Sequence, residues 1–236
     1  MQPDRYTTTP STASRIASVD AGLRSHMQSV YNRMTLGVLV TAITSFIVAN
    51  TPALMSLFLG GPQAYIVMLA PLAVIWFGFN PMTMPASKLK ISFLLLSVLY
   101  GISFAAIFLA YAKTDIARAF FIASAMFAGL SIFGYTTRKN LDGLGTFAVM
   151  GVWGVLILGL INLFIGSSSL MNVISVVSII AFSGITAWQT QSMKEMYSAA
   201  NGSEANSRMA WAAALNLYIS FVALFTHILH LLGNNR

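Results

Sequence analysis

The chain has 236 residues, 57% of them hydrophobic and only 8% charged, with a formal net charge of +7 and no cysteine. A soluble domain carries about 25% charged residues, so this chain cannot cover its surface with charge, and lipid must be its solvent. The absence of cysteine excludes disulfides, thiolate metal sites and cysteine nucleophiles. The basic excess falls mainly in the N-terminal segment and short connectors, where it reads as a topology signal and not as a nucleic-acid footprint.

In chain order, residues 1–28 come first and are polar, beginning MQPDRYTTTPSTASRIASVD. They lack the apolar core of a cleavable signal peptide. Their Ser, Thr and Pro content predicts a disordered cytoplasmic tail, leaving residues 29–236 as the membrane domain. Crossing a hydrocarbon core of about 30 Å takes about 20 helical residues. The apolar runs of the chain are 30–50, 64–79, 91–111, 116–135, 144–165, 171–193 and 209–232. Pro71 falls inside the second and predicts a kink there. Continuous apolar runs lack the alternation of a membrane barrel, and an open sheet would leave edge groups unbonded in hydrocarbon. The chain therefore reads as an all-α integral membrane protein, a seven-transmembrane-helix bundle. The polar connector SAANGSEANS, residues 198–207, predicts a flexible loop.

Arg5, Arg15, Arg24, Arg33, Lys88, Lys90, Arg138, Lys139, Lys194 and Arg208 fall on one side of the alternating spans, and only Lys113, Arg118 and Arg236 on the other. This bias predicts a cytoplasmic N-terminus and an external C-terminus. Small residues predict close helix packing at Gly101 and Ala105, at Ala125 and Gly129, and at Gly151, Gly154 and Gly159.

Two spans carry polar stripes. At about 100° per residue, Ser175, Ser178, Ser183, Thr186, Gln189 and Thr190 share one sector of the sixth span. Asn216, Ser220, Ala223, His227 and His230 share a stripe on the seventh. Either the stripes bond to each other and hold the bundle shut, or they line a hydrated crevice. Serine and threonine can also satisfy themselves on their own helix carbonyls. The latch or pore-lining candidates are Gln189, Ser220, Thr186, Thr190, Ser183 and Asn216, with His227 and His230 as weaker ones.

The acids Asp4, Asp20, Asp115, Asp142, Glu195 and Glu204 map to the tail, connectors or helix ends. A proton-coupled pump would place one at depth. His227 and His230 share a face, but neither cysteine nor a nearby carboxylate completes a metal set. The seventh span has no lysine for a Schiff base. HExxH, GxSxG and a phosphate-cradling loop are missing, and no acid lies at the depth needed to orient a Ser–His pair. Neither an enzyme nor a bound cofactor is expected.

Four stretches taken in order carry a resemblance: LRSHMQSVYNRMTLGVLVTA (23–42), FGYTTRKNLDGLGTFAVMG (133–151), FSGITAWQTQSMKEMY (182–197) and LNLYISFVALF (215–225). Together they resemble the Bax inhibitor-1, or transmembrane BAX inhibitor motif, family in its bacterial form. The resemblance implies a seven-helix fold with helix 7 central, located in the bacterial inner membrane. It also implies a cation leak, chiefly for Ca²⁺, or a modulator of membrane stress. Bacterial relatives are further linked to membrane protein quality control through a membrane-anchored AAA protease. Leak-competent members use two facing aspartates, on helices 6 and 7, as a pH-sensitive latch. Where the family pattern places them, in a D-T-Q triplet and an LYxDF segment, this chain has Gln189-Thr190-Gln191 and Leu217-Tyr218-Ile219-Ser220-Phe221. Gln189 and Ser220 thus replace both acids. The expectation is a latch contact that is kept and a pH switch that is lost.

Overall fold

In hydrocarbon, every backbone N–H and C=O must be bonded within its own segment or to a neighbour, and the chain meets that demand with helices. The computed structural model describes residues 12–233. The helices are α1 (Thr12–Ala49), α2 (Pro52–Leu59), α3 (Gln63–Phe77), α4 (Ala86–Phe104), α5 (Ile107–Ala110), α6 (Lys113–Thr136), α7 (Asp142–Ile165), α8 (Ser168–Met196) and α9 (Gly202–Gly233). No strand occurs among the described residues.

Six spans are long and apolar enough to cross a membrane, namely Ala21–Ala49, Ala86–Ala110, α6, α7, α8 and α9. The expected second span is a broken pair, α2 and α3, bent by 78°, which makes a seventh only when the two halves are counted as one span. The break lies at residues 60–62, Gly-Gly-Pro, where the Gly60 N–H closes the end of α2 on the Ser56 carbonyl. The kink expected at Pro71 is displaced to this turn, and α3 runs on through Pro71. The missing proline N–H would orphan the Val67 carbonyl one turn back. Ser103 Oγ on α4 donates to that oxygen at 3.0 Å, so the helix keeps its course.

The N-terminal segment also departs from expectation. Residues 1–11 lie outside the described ones, but from Thr12 onward the polar segment is helical and continuous with the first span. No proline or glycine interrupts it before Gly22. Its far end is anchored, because His26 and Met27 are buried and Met27 joins a core cluster with Met193, Ala210 and Trp211.

The connector at residues 198–207 is likewise ordered. A 3₁₀ turn over Ala199–Asn201 leads to Gly202, whose φ of 74° suits glycine alone, and α9 starts there. Glu204 Oε1 accepts the Ala86 N–H at 2.8 Å. This caps α4, where Pro85 offers no side-chain acceptor. Arg33 donates to the Ser207 carbonyl at 2.7 Å and lies 4.4 Å above the Trp211 ring. Arg208 reaches the Met82 carbonyl at 3.3 Å. These polar clasps join the connectors at one end of the bundle, the end that carries Lys88, Lys90, Arg138, Lys139 and Lys194.

Helix α9 is the axis. In its most apolar window 61% is buried, against 11% for α7, and it packs on α1, α4, α6 and α8. Tyr218, Leu217, Leu224 and Leu229 on α9 meet Leu89, Phe93 and Leu96 on α4 in the core. Helix α7 rests chiefly on α8 and turns Phe147, Trp153 and Phe164 outward. The small residues sort accordingly. Gly101 lets α4 approach Thr41 and Thr44 of α1, and a Cβ at Gly134 would strike the Ala187 carbonyl of α8. Gly129, Gly154 and Gly159 meet no described atom within 4 Å, and Ala125 is exposed. Those positions are not the packing surfaces expected of them: Ala125 and Gly129 lie on the side of α6 turned away from α8 and α9, and Gly154 and Gly159 lie on the side of α7 turned away from α8, its chief neighbour.

Candidate functional site

The polar stripes meet where α8 and α9 pack. Both helices are long enough, at 29 and 32 residues, to hold their facing side chains in register over the whole span. Toward the basic end of α8 and near the middle of α9, Ser220 Oγ donates to Gln189 Oε1 at 3.0 Å. Ser220 is 1% exposed, and Gln189 is partly buried. The two positions at which the sequence pattern led acids to be expected are therefore in direct contact.

The rest of the stripe on α8 turns inward. Thr186 donates to the Phe182 carbonyl at 2.7 Å and Ser183 to the Ile179 carbonyl at 2.6 Å, each satisfying itself one turn back on its own helix. Thr190 Oγ1 and Ser178 Oγ are buried and find no partner among the described residues. On α9, His227 Nδ1 lies 3.3 Å from Ser175 Oγ, so this histidine bonds across the same seam. His230 Nδ1 lies 3.4 Å from the Tyr111 hydroxyl beyond α5, so the two histidines serve different partners. Asn216 departs from the expected stripe. It is exposed although Leu215 and Leu217 beside it are buried, and Ser220, one turn further along the same face, is covered.

The described acids stay at the helix ends or in the polar start of α1. Asp115, 4% exposed, sits in the first turn of α6, with Oδ1 3.8 Å from Arg118 Nη1. Asp142 begins α7 and accepts from Trp188 Nε1 at 3.0 Å. No group of three metal-ligating side chains assembles among the described residues. Chemically, the seam offers amides, hydroxyls and one imidazole. The Gln189–Ser220 pair hydrogen-bonds without carrying charge, and neither member titrates near neutral pH.

Two devices were not legible from periodicity. Tyr218, fully buried, shares a 2.7 Å hydroxyl contact with Thr41, and Thr41 also donates to the Ser97 carbonyl at 2.9 Å. Three helices thus join through one network. Gln191, 7% exposed, accepts from the Leu141 N–H at 2.8 Å and donates to the Lys139 carbonyl at 2.9 Å. With Trp188 one turn earlier on the same face, it clasps the TTRKNLDGLG connector to α8. The signal for Gln191 was its place in the Gln-Thr-Gln triplet, but only the folded connection brings residues 139–141 to it.

Comparisons with known proteins agree with this architecture. The family model described as "Inhibitor of apoptosis-promoting Bax1" matches residues 23–236. Protein RP147 of Rickettsia prowazekii is 36% identical over 234 residues, covering 98% of each chain. A protein of Caulobacter vibrioides is 36% identical over 233 residues, covering 93% of this chain and 92% of its own. Inner membrane protein YbhL of Escherichia coli K12 is 33% identical over 220 residues, covering 92% of this chain and 94% of its own. With the helical bundle, the axial α9 and the α8–α9 contact in place, the chain belongs to the Bax inhibitor-1 family of multi-pass integral membrane proteins.

Proposed function

We propose that this protein is a cation leak or membrane-stress modulator of the Bax inhibitor-1 type whose pH switch has been replaced by a neutral latch. The observation that carries the reading is the Ser220–Gln189 hydrogen bond at 3.0 Å. Two facing carboxylates at that contact would share a proton at low pH and repel at higher pH. A hydroxyl–amide bond has no such dependence. Its net worth, about 0.5–1.5 kcal/mol, opposes opening equally across the physiological range. A Ca²⁺ path also favours carboxylates or ordered carbonyls, and the seam supplies neither a charge nor a carbonyl ring. The leak is accordingly weak and insensitive to pH.

In this reading the basic end of the bundle faces the cytoplasm, with the N-terminus inside and the C-terminus outside. The membrane is the bacterial inner membrane, by analogy with the inner membrane protein YbhL of Escherichia coli.

A second reading is favoured by the burial of the seam itself. Ser175, Ser178, Thr186 and Thr190 are each 0% exposed. A face closed to that degree suits a non-conducting protein that modulates a membrane-anchored AAA protease or another quality-control partner. Ca²⁺ efflux from liposomes separates the two. A slow, pH-flat efflux above that of empty liposomes supports the leak. Efflux equal to empty liposomes, together with co-purification of a partner that is lost when residues 1–22 are removed, supports the second reading.

A further inference from the structure

Away from the seam, α1 and α6 both pack on α9 but scarcely touch each other. The gap between them holds two hollows. One, of about 340 Å³, lies toward Lys113 and is lined by Ala42, Ala117, Phe121, Phe225 and other apolar side chains. The other, of about 610 Å³, opens toward the basic end of the bundle. Phe221 on α9 lines both, and its ring meets Phe120 at 5.8 Å and Phe127 at 5.7 Å. The result is a cleft with α9 as its floor and an aromatic cluster near the middle.

The larger hollow is amphipathic along its length. Arg24, Gln28, Tyr31 and Asn32 line the turns of α1 nearest the basic end, and Tyr135 faces them from α6. Met34, Phe127, Ala128 and Phe221 line the deeper part. Ser131, 6% exposed, also lines it, and its buried hydroxyl has no partner among the described residues. From Arg24 to Thr35 the helix rises about 17 Å. That is close to half of a hydrocarbon core of about 30 Å, the depth of one leaflet.

We propose that this cleft holds one anionic glycerophospholipid from the leaflet at the basic end. The Arg24 guanidinium meets the phosphate, and Gln28 and Asn32 serve the glycerol and headgroup oxygens. One acyl chain lies between α1 and α6 as far as Phe221. The site is separate from the α8–α9 contact and does not depend on whether that contact conducts.

The test uses full-length protein, delipidated in neutral detergent and then mixed with phosphatidylglycerol or phosphatidylcholine micelles, with retained lipid counted by native mass spectrometry. The expected result is one phosphatidylglycerol per chain, preferred over phosphatidylcholine by about fivefold, the attraction one Arg exerts on an anionic lipid surface. Ala128→Trp, which fills the groove, should abolish retention. Arg24→Gln should keep retention but remove the headgroup preference. Gly154→Trp, on the outer face of α7 where a side chain meets no described atom, should leave both intact and shows that an added indole does not itself strip lipid. Excess inorganic phosphate should not displace the lipid, because the chain contact is lost with the free ion. Unchanged retention in Ala128→Trp, equal retention of both lipids by the unmodified protein, or no retained lipid at all would each overturn the proposal.

Discussion

The α8–α9 seam and the α1–α6 cleft are both built against α9, yet one is shut and the other open. At the seam, hydroxyls, an amide and small residues let two backbones approach, and Gly134 brings α6 against α8 beside it. At the cleft, Phe120, Phe127 and Phe221 hold the helices apart. In lipid, polar and small side chains draw helices together, and bulky apolar ones gain little from contact that lipid tails do not also offer. A polar stripe in a span therefore marks a joint more reliably than a channel. An opening is marked by large apolar groups on helices that share a neighbour.

That contrast can be broken most severely at Gly134. Gly134→Leu drives a side chain into the Ala187 carbonyl of α8, where backbone cannot yield cheaply, and should cost about 3 kcal/mol or more. The same change at Gly129, which faces open space on the same helix, should fall within about 0.5 kcal/mol. Thermal melting in detergent monitors both, and equal melting of the pair would refute the distinction between a packed and a lipid-facing side of α6. Next in size is Gln191→Ala. It leaves the buried Leu141 N–H and the partly buried Lys139 carbonyl unpaired, at a cost of about 2 kcal/mol. Proteolysis at residues 137–141 should rise with it, and a variant that melts normally with a protected connector would remove Gln191 from the account. Smallest is Tyr218→Phe, which loses one hydroxyl bond while Thr41 keeps the Ser97 carbonyl. A drop of about 1 kcal/mol is expected, and no change in melting would mean that Tyr218 contributes through its ring alone.

Much of the fold was legible because each span must satisfy its own backbone, so long apolar runs translate directly into helices. The stripe on α8 also followed from spacing, since a helix facing another through polar groups keeps them in one sector. What spacing could not show was any feature set by the approach of distant segments. Pro71 carries a kink signal, but Ser103 on the next span repairs the carbonyl the proline leaves. Residues 198–207 look flexible by composition, but Glu204 and Ser207 acquire partners 118 and 174 residues away. Asn216 shares a helical face with Ser220, yet the neighbouring helix covers only the second. The cleft arises from two helices that fail to meet, and a failure of contact leaves no pattern in either helix alone.

The neutral latch is tested most directly by Ca²⁺ efflux from liposomes across about pH 5 to 8, comparing the unmodified protein with the Gln189→Asp, Ser220→Asp double variant. Facing aspartates share a proton, so their pKa as a pair is raised. Closure in the variant is present at acidic pH and lost as pH rises through that value. The account predicts a flat, low efflux for the unmodified protein and efflux that climbs with pH for the variant. A steep pH-gated leak in the unmodified protein would contradict it.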